Sequence, residues 1–247
     1  MSALSIENPW FGRTLDGAGG RLLLFCFPPV GSGSMFFRSW LNAAPRQIAI
    51  CPVQLPGREH RMMEQPFERL QPLVQKLLEV IPHQQPFAFF GHSMGALISF
   101  EVARGLRKQG LPGPQRMFVS AASAPQLPRN PPRYCLPDRE FVEALRVLGG
   151  TADVVLNDAA LLRDFLPMLR ADFAVVDTYE YLQEEPLDCP IHVFGGKEDR
   201  EVPYDQLLSW RGQTRAEFTS RIFTGGHFYI QTVWGKLIDD ISNTTRL

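Results

Sequence analysis

The sequence has no apolar run that approaches the ~20 residues needed to cross a bilayer, so no membrane span is predicted. Its first 20 residues lack a basic segment followed by an apolar one, and we therefore expect no signal peptide. The four cysteines form no C-x-x-C pair: Cys26, Cys51, Cys135 and Cys189. Isolated cysteines indicate reduced, packed thiols rather than a disulfide framework or a zinc site. We expect a cytoplasmic protein without a structural metal.

The charges of the chain are almost balanced. There are 25 lysine and arginine residues against 26 aspartate and glutamate residues, a formal net charge of −1. The basic residues are spread along the sequence, which argues against a nucleic-acid or anionic-membrane partner. A length of 247 residues with 45% hydrophobic content supports one large domain, and no linker rich in glycine, serine or charge divides it.

Short apolar runs bounded by glycine and proline predict six buried parallel strands. They lie at 21–27, 47–53, 87–90, 117–122, 191–194 and 221–223. Helical patterns fall between or after several of them, at 67–81, 96–108, 204–211 and 232–241. Strands that alternate with helices predict an α/β fold with a mainly parallel central sheet flanked by helices.

One region, 126–188, contains no convincing strand. It opens with a proline-rich loop, and its apolar residues then recur at helical spacing. Asp138 is expected to cap a helix over 139–148 that ends at two glycines, and a second helix is predicted within 158–179. We expect a single domain with a core at about 1–125 and 189–247 and a helical lid at about 126–188. Ordinary helices that cover the sheet are the alternative.

The pentapeptide Gly-His-Ser-Met-Gly at 91–95 lies between an apolar strand and a helical stretch. This is the context of a G-x-S-x-G nucleophile elbow, in which a sharp turn lifts a serine hydroxyl clear of the sheet. Ser93 is therefore the predicted nucleophile. A serine hydroxyl reacts slowly until a base removes its proton and a carboxylate orients that base.

The base and the acid are expected after the serine, in the order acid and then histidine. His227 lies in a glycine-flanked loop just past the last apolar strand, where a parallel sheet presents catalytic groups. It is the predicted base. The other histidines precede the serine, adjoin it or lie within a strand: His60, His83, His92 and His192.

Asp199 is the predicted acid, because it follows the strand at 191–194 in the loop 195–199. Glu198 is the neighbour that could replace it. The corresponding loop one strand earlier, at 123–126, contains no carboxylate, and this absence favours Asp199.

An oxyanion hole needs two backbone N–H groups. The residue after the nucleophile supplies one, which assigns Met94. The other comes from the loop after the first strand, where Pro28 and Pro29 have no N–H. Val30 is the first residue that can donate, with Gly31 next.

These residues together with several other segments resemble the type II thioesterases of polyketide and nonribosomal peptide synthesis, which have the α/β-hydrolase fold. The resemblance covers nearly the whole chain. It includes Phe-Cys-Phe-Pro at 25–28, Gln-Leu-Pro-Gly-Arg at 54–58, the elbow at 91–95, Leu-Arg-Ala-Asp-Phe at 169–173 and Gly-Gly-His-Phe at 225–228. The chain departs from the family at 30–32, where Val-Gly-Ser replaces the usual Ala-Gly-Gly.

The resemblance implies hydrolysis of acyl groups from the phosphopantetheine arm of acyl or peptidyl carrier proteins. The implied role is editing, the removal of aberrant or stalled acyl units from a synthase. It implies neither a cofactor nor a metal, and nothing demands more than a monomer. The alternatives are a chain-releasing thioesterase, an acyl-CoA or ester hydrolase, an acyltransferase and a non-catalytic binding protein.

Two features of the predicted lid have open interpretations. Four apolar residues within 165–173 could line an acyl channel or pack onto the sheet. Three arginines near the lid entrance could meet an acidic carrier protein or be isolated surface residues: Arg129, Arg133 and Arg139.

Overall fold

The computed structural model describes residues 8–11, 21–128 and 131–245. Six strands form one sheet: β1 (Leu22–Phe27), β2 (Ile48–Pro52), β3 (Phe87–His92), β4 (Met117–Ser120), β5 (Ile191–Gly196) and β6 (Phe218–Phe223). Their order across the sheet is β2-β1-β3-β4-β5-β6, and every neighbouring pair is parallel. The predicted mainly parallel sheet is confirmed.

Helices flank this sheet and fill its connections. In the described residues they are α1 (Arg38–Leu41), α2 (Leu70–Val80), α3 (Met94–Lys108), α4 (Asp138–Leu148), α5 (Asp153–Asn157), α6 (Ala159–Asp177), α7 (Tyr204–Leu208) and α8 (Ile230–Thr244). None of these helices is both long enough and apolar enough to pass through a membrane.

The sheet is buried on both faces. Along β1, Leu23, Phe25 and Phe27 enter one apolar cluster, and the alternating Leu22, Leu24 and Cys26 enter the other. Successive side chains of a strand point to opposite faces, so a strand covered on both sides must be apolar throughout. This explains why these strands were visible in the sequence as continuous apolar runs.

The predicted strand boundaries were least accurate at the edge of the sheet. β6 begins at Phe218 instead of residue 221, because it is an edge strand whose residues 219–222 are exposed and carry no apolar alternation. β4 ends at Ser120, since Ala121 turns the chain with a φ of 48°.

Helices α4, α5 and α6 lie between β4 and β5, within the region 126–188, which we call the lid insertion after the role that the sequence predicts for it. The predicted Asp138 cap is wrong. Pro137 occupies the N-cap position of α4, and the Asp138 carboxylate instead pairs with Arg170 of α6 at 2.6 Å. Asp158 does cap α6, accepting hydrogen bonds from the N–H groups of Ala160 and Leu161.

The lid insertion has an apolar cluster of its own. It contains the buried side chains of Phe141, Leu145, Leu156, Met168, Leu169 and Phe173. The insertion is therefore held together by burial of apolar surface as well as by its contacts with the sheet.

Candidate active site

Ser93 occupies a sharp turn between β3 and α3. Its backbone has a φ of 53° and a ψ of −117°, a conformation that costs ~1–3 kcal/mol for a residue with a side chain. The N–H of Ser93 donates to the carbonyl of Ser120 at 2.8 Å, which ties the turn to the end of β4. The strand, the turn and the helix have the geometry of a nucleophile elbow.

The two glycines of the elbow are required by space. A Cβ at Gly91 would overlap the backbone of Ala96 in α3. A Cβ at Gly95 would overlap the carbonyl group of Phe27 at the end of β1. Strand and helix can approach each other this closely only because both positions lack a side chain.

We expect Gly95→Ala to lower the free energy of unfolding by about 3 kcal/mol, because the added methyl group meets backbone that cannot rotate away. Gly235→Ala is the matched control, since a Cβ there has no heavy atom within 4 Å and the residue lies inside α8. It should raise stability by ~0.5–1 kcal/mol. Urea unfolding measures both changes. Equal stabilities of the two variants would contradict the close approach at the elbow.

The side chains of Ser93, His227 and Asp199 form a continuous hydrogen-bonded line. His227 Nδ1 lies 2.9 Å from Asp199 Oδ2, and His227 Nε2 lies 3.0 Å from Ser93 Oγ. A carboxylate only accepts hydrogen bonds, so Nδ1 carries the proton and donates it. Nε2 is then free to accept the proton of the serine hydroxyl. This arrangement can remove that proton as the oxygen attacks an electrophile.

The Asp199 carboxylate is fixed from its other side. Its Oδ1 accepts hydrogen bonds from the N–H groups of Glu201 at 2.9 Å and Val202 at 3.2 Å, and its side chain is only 1% exposed. The carboxylate of Glu198, the alternative acid, instead accepts a hydrogen bond from the N–H of Gly225. The geometry therefore favours Asp199.

His92 lies beneath the site and was not foreseen as part of it. Its Nδ1 is 2.8 Å from Ser120 Oγ, which in turn is 2.6 Å from the hydroxyl of Tyr229. Burial lowers the pKa of His92 well below its usual range, and the nearby His227 lowers it further. The rings of the two histidines have centroids 5.5 Å apart. A neutral His92 does not oppose the positive charge that His227 gains when it takes a proton.

The predicted oxyanion donors border the same cavity as the serine. Val30 and Met94 line a cavity of about 150 Å³ together with Ser93 and His227. Among the described residues, no protein atom accepts a hydrogen bond from the N–H of Val30 or Met94. The N–H of Gly31 is already used, because it donates to Asp172 Oδ2 at 2.8 Å. Of the two donors that the sequence left open in this loop, the structure therefore favours Val30.

The lid insertion forms part of the wall of this cavity. Phe173 lines the cavity, and its ring packs on Phe141 of α4 within the lid insertion. Phe165 is 42% exposed and does not line the cavity.

The three arginines considered for carrier docking have different surroundings. Arg133 lines the cavity and forms a salt bridge with Glu201 at 2.7 Å. Arg139 is exposed on α4, and Arg129 lies outside the described residues.

A parallel α/β sheet with a serine at a strand–helix elbow, hydrogen-bonded to a histidine and through it to a carboxylate, defines a serine hydrolase of the α/β-hydrolase fold. The model of the thioesterase domain family matches residues 23–244, and the chain belongs to this family. It is an enzyme that hydrolyses thioesters.

Individual relatives are similar over nearly their whole length. The chain is 42% identical to the gramicidin S biosynthesis protein GrsT of Aneurinibacillus migulanus, a match that covers 100% of this chain and 98% of the relative. The structure of the type II thioesterase BorB from the borrelidin biosynthetic cluster is 33% identical, has a TM-score of 0.87 and covers 97% of this chain and 99% of its own. RedJ, a thioesterase of the prodiginine pathway of Streptomyces coelicolor, is 34% identical with a TM-score of 0.87 and 92% of each chain covered.

Proposed function

We propose that the protein hydrolyses acyl groups from the phosphopantetheine arm of acyl or peptidyl carrier proteins, and so clears aberrant or stalled units from a polyketide or nonribosomal peptide synthase. The main support is the hydrogen-bonded line from Ser93 to Asp199, which opens onto a cavity that Val30 and Met94 also line. In the part of the chain that the structure describes, the N–H groups of these two residues have no protein acceptor. The similarity to GrsT, a gramicidin S biosynthesis protein, and to BorB, a type II thioesterase of a biosynthetic cluster, supports the carrier-bound substrate.

The first half of the proposed reaction transfers the acyl group to the enzyme. Ser93 Oγ attacks the thioester carbonyl carbon while its proton passes to His227 Nε2. The N–H groups of Met94 and Val30 stabilise the negative charge on the carbonyl oxygen. The carbon–sulfur bond then breaks, and the pantetheine thiolate takes the proton from His227. The products are an acyl-serine and a free carrier thiol.

The second half returns the enzyme to its starting state. Water gives a proton to His227 Nε2 and attacks the acyl carbon of the ester. The bond from that carbon to Ser93 Oγ breaks, the serine oxygen recovers the proton, and a carboxylic acid leaves. Asp199 stabilises the charged imidazole in both halves. The scheme uses only these three side chains, two backbone N–H groups, water and the thioester, and therefore includes neither a second copy nor a cofactor.

The size of the cavity favours short acyl groups. An engineered apolar cavity of ~150 Å³ holds a benzene molecule, that is, about six carbon atoms. The cavity beside Ser93 also measures about 150 Å³, with Leu148, Phe173 and Val176 of the lid insertion in its wall. A longer acyl chain would extend beyond this volume and lose the contacts of the wall. The proposal places the reaction in the cytoplasm, where the four free cysteines would remain thiols.

A matrix of substrates tests this function. Acetyl, butyryl, octanoyl and dodecanoyl groups are each offered on one carrier protein, on coenzyme A and on N-acetylcysteamine, and kcat/KM is measured by thiol release. We expect the carrier-bound acetyl and butyryl groups to react at least ~10-fold faster than carrier-bound dodecanoyl, since each misfit methylene costs ~1 kcal/mol or more. The carrier-bound form should also exceed the other two forms of the same acyl group.

Equal values for the three forms would reject the carrier as the substrate. A preference for dodecanoyl would reject a short-chain editing role and favour release of a finished chain. Analysis of the products in the presence of an added alcohol or amine distinguishes hydrolysis from acyl transfer.

A further inference from the structure

A buried ion pair joins the lid insertion to the loop after β2. The two guanidinium ends of Arg58 donate to the two carboxylate oxygens of Asp172, Nη1 to Oδ2 and Nη2 to Oδ1, both at 2.7 Å. The side chains are only 5% and 3% exposed. Arg58 Nε donates to the carbonyl of Pro56 at 3.1 Å, so every nitrogen of the guanidinium has a partner. A planar arginine paired at two points fixes the orientation of a carboxylate as well as neutralising it.

This oriented carboxylate also holds the loop that carries Val30. Asp172 Oδ2 accepts the N–H of Gly31 at 2.8 Å, and Arg58 Nη1 donates to the carbonyl of Ser32 at 3.1 Å. Of the two residues that follow Val30, Gly31 is therefore bound through its N–H group and Ser32 through its carbonyl group. Pro28 and Pro29 precede Val30 and restrict the backbone from the other direction.

Packing brings helix α6 against the same loop. Gly31 has a φ of 74°, and a Cβ there would lie 2.7 Å from Cδ2 of Leu169. Leu169 is three residues before Asp172, so both side chains are on one face of α6. The side chain of Val30 packs against the apolar cluster of the lid insertion. Helix α6 thus forms the surface on which this loop is seated.

We propose that Asp172, oriented by Arg58, is a positioning residue for the reaction: by holding Gly31 it aims the N–H of Val30 at the oxyanion. Buried ion pairs can often be replaced by apolar side chains without loss of stability. An apolar side chain at 172 could not accept the N–H of Gly31, however, and this gives the carboxylate a purpose beyond stability. The packing of α6 against the loop of Val30 therefore also assembles the oxyanion hole. This inference rests on the proposed chemistry at Ser93.

Two double variants separate the positioning role from a structural one. Arg58→Met with Asp172→Leu removes both charges and the acceptor for Gly31. Arg58→Met with Asp172→Asn removes both charges but keeps an oxygen of nearly the same size and position. We expect the leucine variant to lose about 10²-fold in kcat, the typical effect of one oxyanion donor, with little change in KM. The asparagine variant should stay within about 10-fold of the wild type.

The substrate is a butyryl thioester of N-acetylcysteamine, so that the result does not depend on the carrier protein. An alkyl boronic acid supplies a second readout, because its adduct with Ser93 places an oxygen where the oxyanion forms. Its inhibition constant should rise in the same proportion as kcat falls. Arg170→Met is the control, since Arg170 lies on the same helix and binds Asp138 and the carbonyl of Tyr134 without touching Gly31. It should leave both readouts within about 3-fold of the wild type, as expected for a surface contact.

Equal kcat values for the leucine and asparagine variants would overturn the proposal, as would a fall in kcat with an unchanged boronate constant. If the leucine variant does not fold, Arg58→Lys decides the question, because lysine keeps the charge but cannot bind both oxygens in a fork. It should lower kcat and weaken the boronate together, by less than the leucine variant because Asp172 can still accept the N–H of Gly31, and wild-type values for both would reject the proposal. A wild-type enzyme that hydrolyses no thioester at all would instead refute the proposed function.

Discussion

Ser93→Ala is expected to lower kcat for thioester hydrolysis by ~10⁴–10⁶-fold, because no other group can form the acyl intermediate and only binding and the oxyanion donors remain. The hydroxyl lies 3.0 Å from His227 Nε2 and belongs to a partly exposed residue that lines the cavity. Alanine removes one oxygen and leaves the backbone of the elbow unchanged. The fold should therefore be retained, and single-turnover release of the carrier thiol measures the loss.

Ser99→Ala provides the matched control. Ser99 is buried on α3, and its hydroxyl donates to the carbonyl of Ala96 without reaching the cavity. It should cost less than ~2 kcal/mol of stability and leave kcat nearly unchanged. A Ser93→Ala enzyme with more than a tenth of wild-type turnover would show that the chemistry takes place elsewhere.

Asp199→Asn should lower kcat by about 10⁴-fold with little change in KM. The carboxylate accepts the proton of His227 Nδ1 and so keeps Nε2 free to act as the base. An asparagine amide can donate to Nδ1, which would place the imidazole proton on Nε2, the nitrogen that faces the serine. The same substitution also removes the negative charge that stabilises the imidazolium.

Glu198→Gln is the control for Asp199→Asn, because it makes the same change of carboxylate to amide in the adjacent residue. Glu198 accepts a hydrogen bond from the N–H of Gly225, whereas the described hydrogen bonds of the His227 ring go to Asp199 and Ser93, so the expected loss is less than ~10-fold. Both variants are compared by steady-state kinetics on one thioester. A larger loss for Glu198→Gln than for Asp199→Asn would reverse the assignment of the acid.

The elbow and the three residues Ser93, Asp199 and His227 could be predicted from the sequence, because each of these residues lies in a recognisable local pattern. Ser93 lies between an apolar strand and a helix, and Asp199 and His227 lie just past the ends of later strands. In a parallel sheet the carboxyl ends of all strands meet along one edge, so residues far apart in the chain converge there. Their hydrogen-bonded geometry required the folded structure, but their identity did not.

Other features depend on contacts that no local pattern specifies. Arg58 and Asp172 are separated by 114 positions and belong to a loop and to a helix of the lid insertion. The sequence showed both only as parts of family-like segments and gave no sign that they bind each other. The hydrogen bond from the Gly31 N–H to Asp172, which leaves Val30 as the favoured oxyanion donor, depends on the same distant contact. The exposed start of β6 lacked an apolar pattern because an edge strand does not need one.

We propose that Ser93 takes the acyl group directly from the arm of a carrier protein. A carrier protein whose pantetheine arm ends in a serine-reactive fluorophosphonate tests this transfer. We predict a covalent complex with the enzyme, with peptide mass spectrometry locating the bond on Ser93 and with no complex for Ser93→Ala. The claim is contradicted if a free fluorophosphonate labels Ser93 while the carrier-linked reagent labels another residue or none.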